Sequence, residues 1–403
     1  MIVRRFLLWA RTASTGHRAE AIAALGRAYL HSNLSEDDRW EAETALTAML
    51  DDRSPVVRRA MAESLASSED APRHVIVALA SDQPDIATLV LERSPVLLEC
   101  DLVDLAALGG ARAQTSIARR PWVPAGVAAA LCEIADPEAL LELARNEGAE
   151  IGEAAFARLV ERHGTDARLR EALLARPDLP VHLAQALAAA LARVLGDFVV
   201  GCGWLSPERA ERVIRDARER TTVALSSGSE AGDLERLVGH LRRTGQLTSA
   251  LILRALLSRD TRFAGAAFAE LANLPEARVA AAFRDRGGHG FRALYDRVGL
   301  PRTLRPAFEG ALAALRQTGG GAGAEIRLSR LVIRESLAAC RSLPPAESGR
   351  LIALLRRFEA EAAMDEARRI ADEMADEAAL SAVLRHAPEA LAAYDEEYRR
   401  WAA

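Results

Sequence analysis

Leu50 to Leu97 reads LDDRSPVVRRAMAESLASSEDAPRHVIVALASDQPDIATLVLERSPVL, and it says nearly the same thing twice. Asp52 with Pro55, Val56 and Val57, then Asp82 with Pro84, Ile86 and Ala87, each set an acidic residue and a proline ahead of a short helix of apolar periodicity. The two heads lie about 30 residues apart, which is the period of helical-repeat arrays. A pair of short antiparallel helices has a joint apolar face too small to stand alone, so the next pair must cover it. The stretch therefore predicts HEAT-like helical hairpins. Ser54-Pro55 is expected to open a helix, the hydroxyl accepting a free amide and the proline lacking the one that would be orphaned. Val57, Ala60, Met61, Ser64 and Leu65 then fall on one face.

The punctuation recurs outward from there. Ser94-Pro95 repeats the Ser54-Pro55 signal, and Arg120-Pro121-Trp122-Val123-Pro124 returns as Arg176-Pro177-Asp178-Leu179-Pro180. Upstream, Ser35 and Asp38 make a capping-box start. Downstream, Val181 to Val200 is one longer apolar helix, and Gly201 to Ser206-Pro207 marks a new beginning. Helices are expected at roughly 230 to 242, 247 to 258, 260 to 272, 275 to 285, 290 to 298 and 303 to 317. Gly319 to Gly323 reads as a flexible joint. Beyond it come an apolar helix to Leu343, a Pro344-Pro345 break, a charged helix to about Met374, and a short last helix ending in Tyr394, Tyr398 and Trp401. No segment sustains strand alternation. The fold class is all-α: an α-solenoid of HEAT-like hairpins over 1–200, a second helical subdomain over 201–318, and a less regular C-terminal extension over 325–403.

Composition agrees with close-packed helices. Half of the 403 residues are apolar but only 4% are aromatic, with alanine and leucine in the majority. The 52 basic residues are all arginines and face 57 acidic ones, a net charge of −5. With no lysine, the chain has no phosphate-loop lysine, no Schiff-base amine and no lysine general base. Cys100, Cys132, Cys202 and Cys340 have neither metal nor redox spacing. They are expected to be reduced, mostly buried thiols of a cytoplasmic protein. The apolar run Phe6 to Ala10 is too short for a membrane span.

Taken together, Thr44 to Leu50, LDDRSPVVRRAMAESLA at 50–66, VLERSPVL at 90–97, LTSALILRALL at 247–257 and DRGGHGFRALYDRVGLP at 285–301 resemble the bacterial family called domain of unknown function 2336. The resemblance extends from near the N-terminus to about residue 317. It implies a HEAT-like helical protein of the bacterial cytoplasm and carries no activity, cofactor or catalytic residue with it.

Sites read from residue chemistry are few. None of the eight histidines adjoins Asp or Glu, and there is no Gly-x-Ser-x-Gly elbow. No cofactor, metal or catalytic residue is expected. Gly287, Gly288, His289 and Gly290, between Arg286 and Arg292, form a glycine-rich loop at a helix start; it reads either as an anion cradle of backbone amides or as a tight turn. Arg209, Arg212, Arg215 and Arg218, mixed with Glu208, Glu211, Asp216 and Glu219, read as a solvated face. So does the charged C-terminal helix, with a dimerising surface as its alternative. Arg58, Arg59, Arg93, Arg119, Arg120 and Trp122 sit at repeat heads, where a groove could form. Two functional readings stand: a non-enzymatic scaffold binding a protein partner on a concave face, or a nucleic-acid module gripping phosphates with those arginines. A homodimer through the C-terminal helices is compatible with either.

Overall fold

The computed structural model describes residues 2–318 and 329–401, so the Gly319 to Gly323 joint lies outside the described residues. Among these, the regular structure is helix, with one isolated bridge pairing Val123 and Ala149. The chain divides into two compact units, Met1–Leu195 and Gly196–Ala403.

The first unit opens with α1 (Ile2–Ala10), α2 (Thr15–His31) and α3 (Glu36–Ala48), then continues in short helices. These are α4 (Pro55–Leu65), α5 (Arg73–Ala80), α6 (Pro84–Arg93), α7 (Glu99–Leu108), α8 (Gly110–Ala118) and α9 (Ala125–Ile134). After them come α10 (Pro137–Arg145), α11 (Glu153–His163) and α12 (Ala167–Leu174). Helices α4, α6, α8, α10 and α12 begin at residues 55, 84, 110, 137 and 167, so successive starts are 29, 26, 27 and 30 residues apart. Each packs on the next in that series, and α7, α9 and α11 pack likewise in a second row. The core between them is aliphatic: Val57, Met61, Leu65, Ile76, Leu79, Ile86, Val90, Ile117, Leu131 and Leu140 are essentially inaccessible.

Proline at the first helical position opens α4, α6 and α10, as its fixed φ and missing amide favour. The serine signals act differently from expectation. Ser54 occupies the N-cap of α4, yet its side chain makes no capping bond; the Asp52 carboxylate takes the Ser54 amide instead, at 2.8 Å. Ser94 does not start a helix at all. It is the C-cap of α6, buried, and its hydroxyl accepts the Val96 amide. A Ser-Pro pair marks a boundary but not its direction, because proline also suits the residue just after a helix end.

Helix α13 (Val181–Gly201) contains the division between the units; by length and composition it could cross a membrane, and 28% of its apolar window is buried. The second unit holds α14 (Pro207–Ser227), α15 (Ala231–Arg243), α16 (Ser249–Leu257), α17 (Thr261–Ala272) and α18 (Glu276–Arg284). It ends with α19 (His289–Val298), α20 (Arg305–Thr318), α21 (Arg330–Ala339) and α22 (Pro345–Trp401). Phe268, Phe283, Phe291, Tyr295 and Phe308 form one aromatic cluster, with neighbouring centroids 5.5–6.4 Å apart. Pro345 opens α22, but the expected second break near Met374 is absent and a single helix of 57 residues runs on. Between Gly349 in its second turn and Pro388 no proline or glycine interrupts it, and its alanine, leucine, glutamate and arginine content favours continuation.

The reading of α22 as a solvated face fails for its first turns. Leu351, Leu355, Phe358 and Ala362 are core residues, α22 packs on α21, and Glu361 is buried with them.

Candidate functional site

Arginines near the helix starts of the first unit, at the heads named from sequence, reach back or forward by one helix pair. Arg58 grips Asp82 with two bonds, Nε to Oδ2 at 2.6 Å and Nη2 to Oδ1 at 2.9 Å, while its Nη1 donates to the Asp52 carbonyl. Arg18 holds the Asp52 carboxylate in the same two-pronged way at 2.8 and 3.1 Å. Burial works against ionisation of Asp52 and Asp82, but the arginine bonds and the Ser54 and Gln83 amides outweigh it, holding both below the ordinary aspartate range.

A second chain of contacts runs through the helix ends. Arg120, buried, donates to the carbonyls of Leu91 at 2.5 Å and Ser94 at 2.7 Å, where α6 terminates. Asn146 then donates to the carbonyls of Ala118 and Arg120 at 2.8 and 2.7 Å, at the end of α8. Arg176 in turn donates to the carbonyls of Asn146 and Ala149 at 2.7 and 2.9 Å, past the end of α10. Each side chain in this ladder closes the helix end one hairpin earlier and offers its own neighbourhood to the next. The Arg-Pro recurrence at 120 and 176 is thus a helix-end staple: guanidinium donors meet carbonyls that no helical amide can reach.

The remaining head residues are also engaged. Arg119 pairs with Glu142 at 3.0 Å, Arg59 with Glu63 at 2.9 Å, and the Trp122 indole donates to Glu150 at 3.0 Å. Arg93, exposed in the last turn of α6, is the one of the six with no partner among the described residues.

In the second unit, the glycine-rich loop already holds an anion of its own. Gly287 and Gly290 donate their amides to the two oxygens of the Asp285 carboxylate at 2.9 and 2.8 Å, with Gly288 at φ 71° making the turn. The Gly290 and Gly287 amides keep Asp285 below the usual carboxyl range. Both readings of the loop meet here: it is a left-handed turn, and its cradle is filled from within. His289 is exposed, and Arg292 pairs with Glu309 at 2.9 Å.

Arg286 behaves differently. It lines a cavity of about 670 Å³ formed by α15, α17, α18 and α20, and Arg262, Arg284 and Arg316 line the same space. The floor is apolar, with Leu234, Ala266, Phe283, Leu312 and Leu315. Glu276 is the one carboxylate in the lining.

A buried charge cluster lies elsewhere in this unit. Arg254, 2% exposed, makes two bonds to Glu361 at 2.7 and 3.0 Å, stacks 4.5 Å over the Phe358 ring and stands 3.6 Å from Glu219. Arg220 also reaches Glu361 at 2.7 Å, and Arg357 pairs with Asp216 at 2.8 Å. Glu219, expected on a solvated face, is buried, and burial raises its pKa. Sequence reasoning missed this cluster because the pairs that build it are distant along the chain, 107 residues between Arg254 and Glu361 and 141 between Asp216 and Arg357. Among the described residues no three His, Cys, Asp or Glu side chains are grouped so as to hold a metal ion. Cys132 is buried, which pushes its thiol up to about 12.

A family model described as "uncharacterised protein conserved in bacteria", DUF2336, matches residues 86–333. Searches of the curated proteins and of the solved structures returned no match. The matched span is more than half of the chain, and the chain belongs to this family.

Proposed function

We propose that this member of the DUF2336 family is a non-enzymatic adaptor, its first unit an α-solenoid of HEAT-like hairpins that docks a protein segment on a concave face. The ladder through Arg120, Asn146 and Arg176 carries this reading. It ties each hairpin to its predecessor through helix-end carbonyls, a device suited to a stiff stack of repeats. The regular 26–30-residue spacing and the two rows of helices support the same architecture. Meanwhile Trp40, Leu98, Leu108 and Trp122 stay exposed on the first unit, apolar side chains available to a partner.

Phosphate gripping by the repeat heads is the weaker alternative, because Arg58, Arg59, Arg119 and Arg120 already have acceptors. The C-terminal helix, with Met364, Ile370 and Met374 exposed, is the proposed dimer surface. The reading is tested by placing a photo-crosslinking residue at 40, 98, 108 or 122 in cells. One recurrent partner, lost when Trp122 and Leu108 become serine, supports the adaptor. Strong retention of the purified chain on duplex DNA at low salt, abolished by Arg93→Ala, supports the nucleic-acid reading instead.

A further inference from the structure

We infer that the cavity bounded by α15, α17, α18 and α20 is a binding site for a small amphipathic anion, a phosphate or carboxylate head on an apolar body. Three observations converge on it.

Charge is the first. Arg262, Arg284, Arg286 and Arg316 face one space whose lining has a single carboxylate, Glu276, and none of the four is in an ion pair among the described residues. Four like charges around a half-enclosed cavity repel one another, and an anion placed between them relieves that repulsion.

Orientation is the second. Arg262 donates one Nη to the Ser229 carbonyl at 2.6 Å, Arg284 its Nε to the Ala280 carbonyl at 3.2 Å, and Arg316 its Nε and one Nη to the carbonyls of Leu312 and Asp285. Neutral carbonyls fix a guanidinium without cancelling its charge, and each of the three keeps Nη donors in reserve. Arg286, exposed and without a hydrogen-bond partner among the described residues, keeps all of its donors. Guanidinium forks held this way match the oxygens of a phosphate or carboxylate.

Shape is the third. The cavity has the volume of a small-molecule site. The side chains of its floor, Leu234, Ala266, Phe283, Leu312 and Leu315, carry no polar group, so the part of the ligand below the arginines is apolar. Gly265, in the middle of α17, opens onto this space: a Cβ built on it meets nothing within 4 Å. A glycine inside a helix costs stability relative to alanine, and here it leaves room.

The test is calorimetric titration of the full chain with monomeric dodecyl phosphate and laurate, with inorganic phosphate and dodecanol as half-ligands. Saturable one-to-one binding of either amphiphile is expected, weakened at least about tenfold by Arg286→Ala with Arg284→Ala, as loss of charge-assisted bonds requires. Gly265→Leu is expected to abolish binding while the melting temperature holds or rises. Inorganic phosphate and dodecanol are expected to bind at least about tenfold more weakly than the whole amphiphile, since each satisfies only one half of the site. Equal affinity in wild type and both variants would overturn the inference, as would inorganic phosphate binding as tightly as the amphiphile. Binding to anionic vesicles without binding of the monomeric amphiphile would also overturn it, placing the arginines on a lipid surface rather than around one molecule.

Discussion

The repeat heads of the first unit and the cavity of the second are both lined with arginine, yet the two sets do different things. At the heads, Arg18, Arg58, Arg120 and Arg176 each find an acceptor about one hairpin away, a carboxylate or the open carbonyls of a helix end. Around the cavity, Arg262, Arg284 and Arg316 hydrogen-bond to backbone carbonyls, and with Arg286 they line one space. The side chain is the same; the available acceptor decides the role. In the first unit a neighbouring helix pair, 24 to 34 residues before or after in the chain, places an acceptor within reach, so these arginines are consumed by the frame. In the second unit, arginines gather around one cavity with backbone carbonyls, not carboxylates, as their hydrogen-bond acceptors.

Substitutions can break that contrast. The largest effect is expected within the second unit itself, where Arg254 is buried and bonded to Glu361 through both Nη atoms. Glu361→Ala leaves Arg254 buried without its two-pronged partner and should destabilise by about 3–5 kcal/mol in urea unfolding, with Glu361→Gln falling between. Arg58→Ala strips two bonds from half-buried Asp82 and one from the Asp52 carbonyl; a loss of roughly 1–2 kcal/mol is expected in the same assay.

Titration should separate the units further. Asp52 and Asp82 have folded-state pKa values below their unfolded ones, so their contribution is full above the ordinary aspartate range and is lost as pH falls through it. Glu219 has the opposite sign. Its raised pKa favours the protonated folded state, so its contribution is lost as pH rises from the ordinary glutamate range through the folded value. Hydrogen exchange followed across pH should therefore show α4 and α6 loosening in acid while α14 tightens. A smaller change is expected from Gly265→Leu, a gain of up to about 1 kcal/mol from helix propensity. The smallest is Arg59→Ala: its partner Glu63 is equally exposed, and the unfolding midpoint should not move measurably.

Much of this architecture was legible in sequence because its signals are local. Helix bounds at α15 through α20 follow from apolar periodicity and agree within about two residues, the ordinary scatter of helix ends. The Arg120 and Arg176 recurrence was visible too, but its meaning was not: the acceptors are backbone carbonyls, which carry no residue signature. Ser94-Pro95 misled for a related reason, since the same pair serves either end of a helix. Asp285 escaped notice beside the glycines whose amides it occupies, although an acidic residue two before Gly287 could have suggested a self-capped turn. The cavity was out of reach. Arg286 could be named, but nothing local shows that Arg262 and Arg316, 24 and 30 residues away in the chain, share its space. Asp216 opposite Arg357, 141 residues apart, is the extreme case of a long-range pair.

The division is between head arginines that belong to the frame and cavity arginines that do not. It is tested most directly by measuring the urea unfolding midpoint of Arg120→Met against Arg286→Ala. Arg120→Met leaves the Leu91 and Ser94 carbonyls without their donors and should lower stability by roughly 2–4 kcal/mol, while Arg286→Ala unfolds with the wild type. An Arg120 variant that unfolds at the wild-type midpoint would contradict the account.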